Sequence, residues 1–207
     1  MARTGRALPA VLQAGALSLL TVSSRATARR RDRRLPPIGE PSLFTTVLRL
    51  PGVWSGVLPE YTGHYVYSPT SVHVTVTSLD GATRDLDDAI VTLGQRRLPA
   101  PTFTITGFGC SPGTVFLRCI HDDAFAELRA AVRSAFGIEA PRRPDAALFG
   151  RLSYANVVRF EGRPTWRRAR WKPATITCGE MEIVRTDRVL SDDGTVVLAR
   201  VALSPQR

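Results

Sequence analysis

The sequence predicts an α+β fold: two pseudo-symmetric lobes of antiparallel sheet with flanking helices around a central groove. Three observations carry that prediction. Short β-rich runs and two helical stretches follow one another in the order strand, strand, helix, hairpin, helix, strand, hairpin. Turn signals separate them. Two stretches of the same rhythm, SVHVTVTSLDG at 71–81 and LSYANVVRFEG at 152–162, fall one in each half of the chain, as expected where two sheet lobes meet at a cleft. The 207 residues suit a single domain, and an apolar share of 43% suffices for a core.

The elements can be justified in chain order. SLFTTVLRL (42–50) reads as a first strand closed by Pro51 and Gly52, and GVWSGVLPEYTG as a loop or short irregular helix. HYVYSPTS leads into the strand around His73, which Asp80 and Gly81 turn. TRDLDDAIVTLGQRRL has Leu86, Ile90 and Leu93 at helical spacing behind an acidic start at Asp85, Asp87 and Asp88. PTFTITGFGCSPGTVFLRCI then reads as a hairpin about GCSPG. Asp122 or Asp123 can cap the helix DDAFAELRAAVRSAFG, in which Phe125, Leu128, Val132 and Phe136 form a stripe and Gly137 supplies the stop. After a proline-marked connection come the strand ANVVRF, a basic aromatic stretch, and two strands, ATITCGEMEIVRTD and TVVLARVAL, joined by the turn at Asp192–Gly194.

Residues 1–40 stand apart from the domain at 41–207. They hold eight arginines against Asp32 and Glu40, so this segment carries +6 of the chain's net charge of +10 and leaves the body only mildly basic. A basic start, an apolar stretch from Ala7 to Val22 and an A-x-A ending at Ala26–Ala28 outline a signal segment. Pro9, Gln13, Gly15 and Ser18 dilute that stretch, and RRRDRR is a poor start for a translocated chain. The segment therefore reads either as a disordered basic extension, with a cytoplasmic protein behind it, or as a signal peptide over 1–28 that exports the protein. No stretch has the apolar length of a membrane span. Cys110, Cys119 and Cys178 have neither C-x-x-C spacing nor histidines at zinc-finger intervals. They fit free thiols in a reducing compartment, the alternative being a Cys110–Cys119 pair across the hairpin.

Period-two alternation puts His73 and Thr75 on one face of their strand and Val72, Val74 and Val76 on the other. Tyr154 and Asn156 occupy the matching positions of the second stretch. Of the other histidines, His64 enters the motif strand and reads as a loop residue or a second imidazole for the cleft, while His121 belongs to the helix-cap turn, paired with nearby carboxylates. Tyr65 and Tyr67 read as stacking faces for a base or as strand packing. Trp166, Arg167, Arg168, Arg170 and Trp171 interleave indoles with guanidiniums, which suits single-stranded RNA or a loop whose tryptophans cover the sheet. No phosphate-binding G-x-x-x-x-G-K-[ST] loop, dinucleotide fingerprint, G-x-S-x-G elbow or metal constellation is present.

YSPTSVHVTVTSL, FTITGFG with its hairpin, the amphipathic helix, ANVVRF and the closing MEIVRTDRVLSDDGTVVL together resemble the two-histidine (2H) phosphoesterase superfamily, which contains 2′-5′ RNA ligase-like proteins and cyclic phosphodiesterases. The resemblance covers Ser42 to Leu203 by order of elements. It implies two lobes, each offering an H-x-[ST]-hydrophobic signature to the groove. One imidazole acts as base, the other as acid, and the two hydroxyls hold the phosphate without metal or cofactor. His73-Val74-Thr75-Val76 matches the first signature. Counting back from Arg159-Phe160, the H-x-T-h-x-R-F spacing puts Tyr154 at the second histidine position and Asn156 at the threonine position; alternatively a bulge brings Asn156 to the histidine position. The resemblance thus implies His73, Thr75, Tyr154 and Asn156 as catalytic positions. Tyr65, Tyr67, Arg159 and Trp166 are the substrate-binding candidates. The expected protein is a monomer acting on 2′,3′-cyclic or 2′-5′ RNA or nucleotide phosphodiesters, weakened by loss of the second imidazole. The alternative is an inactive RNA- or nucleotide-binding protein of the same fold. Both require His73 and the Tyr154–Asn156 pair to face one shared hollow.

Overall fold

Among the described residues, two antiparallel sheets and two helices share one hydrophobic core. The structure, a computed structural model, describes residues 39, 41–55, 64–111, 114–139, 151–160, 170–171, 173–187 and 189–205, without the side chains of 54–55, 64–66, 110–111, 158–160 and 170–171. Residues 1–38, Glu40 and residues 166–168 lie outside the described residues. The elements are β1 (Leu43–Arg49), β2 (Trp54–Ser55), β3 (His64–Val66), β4 (His73–Ser78), α1 (Leu86–Gly94), β5 (Thr102–Ser111), β6 (Thr114–His121), α2 (Asp123–Phe136), β7 (Leu152–Phe160), β8 (Arg170–Trp171), β9 (Thr175–Thr177), β10 (Glu180–Thr186) and β11 (Thr195–Ala202). One sheet has the order β11-β10-β1-β4, the other β3-β7-β6-β5-β9, and β2 pairs with β8 as a separate ribbon.

The alternation read from the sequence is what buries the core. Val74 and Val76 of β4, Leu48 of β1, and Met181 and Ile183 of β10 enter it from the first sheet. Phe103 and Ile105, Leu117 and Cys119, and Ala155 and Val157 enter it from the second. All four stripe residues of α2 are buried there, and the helix stops at Gly137, whose φ of 65° is left-handed, where a side chain would strain the backbone. The Asp85 side chain caps α1 by accepting from the Asp87 and Asp88 N–H groups. Asp122 occupies the N-cap position of α2, but its carboxylate accepts from Thr102 N–H at 3.0 Å and makes no capping bond. That hydrogen bond ties the helix start to β5.

Both motif strands carry a bulge at the same place. Between β1 and β4 the pairs Thr46↔Thr77 and Val47↔Thr75 skip Val76; between β6 and β7 the pairs Val115↔Val158 and Phe116↔Asn156 skip Val157. Val76 lies three residues after His73, and Val157 three residues after Tyr154. The two bulges therefore fall at the same offset from His73 and from Tyr154.

Two sequence expectations change. Trp54–Ser55 is not part of a loop or irregular helix but a two-residue strand, paired in register with Trp171 and Arg170. A Cys110–Cys119 bridge is excluded by register, because Cys110 stands opposite Val115 and Cys119 opposite Ile105. Cys119 and Cys178 are free and buried, and burial pushes both thiols up to about 12. No described helix is long and apolar enough to cross a membrane.

Leu117→Ala should cost about 2–5 kcal/mol, because the site is sealed between β5, β7 and the helices and cannot collapse freely. Val91→Ala, on the exposed face of α1, should change stability by no more than about 0.5 kcal/mol. Urea unfolding of the two variants measures the contrast.

Candidate active site

Strand alternation turns His73 and Thr75 away from the core that takes Val74 and Val76, and Tyr154 and Asn156 away from the core that takes Ala155 and Val157. The two motif strands are in contact, and the Tyr67 N–H donates to the Val157 carbonyl at 2.9 Å, so the lead into β4 is hydrogen-bonded to β7.

His73 is only 2% exposed, yet its surroundings are polar. Its Nδ1 lies 2.9 Å from the Ser71 carbonyl oxygen. A carbonyl only accepts, so Nδ1 carries the proton and Nε2 keeps its lone pair. The Tyr67 ring meets the imidazole edge-on at 5.4 Å. Burial first, then the Arg49 cation, lower the imidazole to about 4 against the opposing pull of the Ser71 hydrogen bond and the Asp192 and Glu182 carboxylates. At neutral pH the ring is an uncharged base. Thr75, one step along the same face, is exposed.

Two groups of this lobe escaped the sequence reading, Arg49 beside His73 and Asp187 in the β10–β11 loop. Arg49 stands directly opposite His73 in the β1–β4 ladder, donates from Nε to Glu182 at 2.8 Å and from Nη1 to the Ser71 carbonyl at 3.0 Å. An arginine ending a strand, on the face it shares with Thr45 and Val47, was the available signal. Asp187 is fully buried and accepts from Gly39 N–H at 2.7 Å, from the Val189 and Ser191 N–H groups at 3.0 Å each, and from the Ser191 hydroxyl. Burial pushes this carboxyl up, but the donors outweigh it and hold the group below the usual carboxylate range. The β10–β11 loop so fixed presents the Val189 carbonyl to the Tyr67 hydroxyl.

In the other lobe Tyr154 is 57% exposed, with its ring tilted against Phe116 at 5.6 Å. The Asn156 carbonyl oxygen accepts from the Thr114 hydroxyl at 3.0 Å, which leaves the NH₂ as the donor end of the amide. Tyr67 is completely buried, its ring on His73 and its hydroxyl on Val189, so it offers no free stacking face. The backbones of His64 and Tyr65 lie in β3 opposite Phe160 and Arg159; the side chains of Tyr65, Arg159 and His64 are outside the described residues, as is Trp166. His121 pairs through Nδ1 with the Asp122 backbone carbonyl at 2.8 Å, not with a carboxylate, and packs on Phe103 and Phe125. It belongs to the core of the second lobe. Among the described residues no group of three His, Cys, Asp or Glu side chains is arranged to hold a metal ion.

The two-lobed arrangement is the fold of LigT-like phosphoesterases, in line with the resemblance read from the motifs. It is similar to a phosphoesterase structure (TM-score 0.54, 14% identity, covering 80% of this chain and 99% of the other) and to E. coli LigT in complex with 3′-AMP (TM-score 0.53, 14% identity, 80% and 99%). TT0787 of Thermus thermophilus superposes with a TM-score of 0.50 at 17% identity, over 80% of this chain and 100% of the other. No protein-family model matches the sequence, and no curated protein matches it.

The buried histidines set the acid stability. An unfolded chain binds a proton at His73 near 6.5, the folded protein only near 4, so protons favour the unfolded state throughout that interval. Stability should fall as pH falls from 6.5 to 4, by roughly 3 kcal/mol for His73, with His121 acting in the same sense. The stabilisation from Asp187 is full above about 3.9 and is lost only as pH falls through its lowered value, below the histidine window. Urea unfolding at pH 7 and pH 4.5 should show the first loss, and His73→Gln should remove its share.

Proposed function

We propose that this protein is a metal-independent phosphodiesterase of the 2′-5′ RNA ligase-like kind, acting on 2′,3′-cyclic or 2′-5′ RNA or nucleotide phosphodiesters, slowly because the second imidazole is replaced. It works as a monomer in the cytoplasm and binds its RNA or nucleotide substrate through phosphate. The observation that carries this reading is the neutral imidazole of His73, held through Nδ1 with its Nε2 lone pair kept, in a LigT-like fold whose bulges fall at the same offset from it and from Tyr154. That E. coli LigT has been crystallised with 3′-AMP, ATP, NADP+ and phosphate adds support for a nucleotide phosphate ligand.

For a 2′,3′-cyclic nucleotide the step balances as follows. His73 Nε2 takes a proton from water as the water oxygen bonds to phosphorus. The P–O3′ bond breaks, and O3′ takes the proton of the Tyr154 hydroxyl, giving a 2′-phosphate and a free 3′-hydroxyl. Thr75 and the Asn156 NH₂ donate to the non-bridging oxygens as their charge grows. Tyr65, Arg159 and Trp166 complete the contacts to base and phosphate. The phenolic hydroxyl serves as a donor, though less well matched to the task than imidazole.

The second reading, a binding protein without turnover, is favoured by one observation, the absence of an imidazole at Tyr154. A single assay separates the two. Incubation with a 2′,3′-cyclic nucleotide should release the 2′-phosphate in wild type and not in His73→Ala, and Tyr154→His with Asn156→Thr should raise turnover by about 10²-fold or more. Binding without product from either the wild type or the restored double variant would reduce the protein to a nucleotide-binding module.

A further inference from the structure

We infer that Arg49 is a positioning residue for His73: the guanidinium, fixed by Glu182 and by the same Ser71 carbonyl that holds the imidazole, anchors the ring's tautomer and opposes its protonation. Only the description of His73 as a catalytic base rests on the proposed function. The geometry stands without it. Arg49 and His73 are cross-strand partners, so their side chains leave the sheet side by side. The Ser71 carbonyl has two lone pairs; Nδ1 of His73 takes one at 2.9 Å and Nη1 of Arg49 the other at 3.0 Å. Glu182 grips Arg49 Nε at 2.8 Å and keeps the guanidinium from swinging away. The turn that aims the Ser71 carbonyl is itself pinned, since the Ser71 N–H and hydroxyl both donate to the Ser68 carbonyl.

A proton added to the imidazole would therefore place two cations on one carbonyl oxygen, in a site with little water to screen them. The charges facing His73 come from three elements: Arg49 on β1, Glu182 on β10, and Asp192 in the β10–β11 loop, with the Tyr67 ring as a neutral neighbour. Burial is the strongest influence against the imidazolium, and Arg49 is the cation that adds to it. Glu182 and Asp192 pull the other way. Arg49 also partly neutralises Glu182, so its removal would strip away an opposing charge and unmask a favourable one together.

The chain has only three histidines, His64, His73 and His121, so imidazole-labelled NMR can follow each through a pH titration in the intact protein. In wild type His73 should titrate near 4. Arg49→Met should raise it by about one pH unit or more, Arg49→Lys should hold it near the wild-type value, and Glu182→Gln should lower it. Mere loosening of the structure would admit water and move both Arg49→Met and Glu182→Gln upward. Opposite shifts therefore support the inference, and any other pattern overturns it; should Arg49→Met not fold, Arg49→Gln takes its place. The titration needs no substrate. Opposite shifts in a protein without turnover would sink the proposed activity and leave the role of Arg49 intact.

Discussion

One backbone hydrogen bond, from the Tyr67 N–H to the Val157 carbonyl, ties the lead into β4 to β7 and limits how far His73 can stand from that strand. β3 ends at Val66 opposite Val158, and Tyr67 extends that pairing by one residue before the chain leaves for the other sheet. Six residues later His73 opens β4. A chain of that length reaches at most roughly 20 Å when fully extended, and the Ser68–Ser71 turn shortens it. The position of His73 relative to β7 is thus set by a short, hydrogen-bonded tether and not by the packing of two independent lobes. The outer edge of β4 is secured as well, because Arg129 of α2 donates to the Val76 carbonyl at 2.9 Å. The bulge residue that aligns the motif is thereby also the point where α2 holds the strand.

The two half-sites are built on the same register but in different electrostatic settings. Around His73 the sheet carries a row of charges, with Arg49 on β1, Glu182 on β10 and Arg200 on β11; Glu182 accepts from Arg49 at 2.8 Å and is ion-paired with Arg200 at 3.5 Å. Such a row, partly out of water, holds its members in place through mutual pairing, and breaking one pair would leave a partly buried charge uncompensated. Among the described residues Tyr154 has no comparable shell. It is exposed, leans on Phe116, and stands opposite Arg118 in the ladder. The first motif holds a titratable group in a defined state; the second carries an exposed phenol and a half-buried amide.

What the sequence disclosed and what it hid follow the range of the interactions. The faces of β4 and β7 and the buried stripe of α2 are local periodicities, and each was legible because one face had to be apolar. Gly137 was legible as a stop for a similarly local reason. The short strands β2, β3 and β8 carry no period of their own; they exist because a partner strand passes by. Arg49 and Asp187 were hidden for the same reason, since the bond from Arg49 to Glu182 spans 133 positions and that from Gly39 to Asp187 spans 148. Tyr67 shows the cost of relying on alternation alone. A tyrosine in a strand leading to a motif looks like a stacking face, but the loop anchored by Asp187 accepts its hydroxyl and the imidazole takes its edge.

The asymmetry of the half-sites constrains the proposed chemistry more than the loss of a histidine alone would. In a site with two imidazoles near neutrality, either ring can begin as base, so the direction in which a phosphodiester lies is not fixed by protonation. Here the groups cannot exchange roles. A buried imidazole lowered to about 4 starts without a proton, and a phenolic hydroxyl has one to donate. In the proposed reaction attack comes from the side of His73, and the leaving oxygen faces Tyr154. The same lowering makes His73 a weaker base and makes its imidazolium costly to form, unless the developing negative charge on phosphorus oxygens offsets the Arg49 cation beside it. A bound phosphodiester, itself an anion, would supply that offset. The base would therefore be strengthened by the substrate it acts on, and the free protein would keep it uncharged until then.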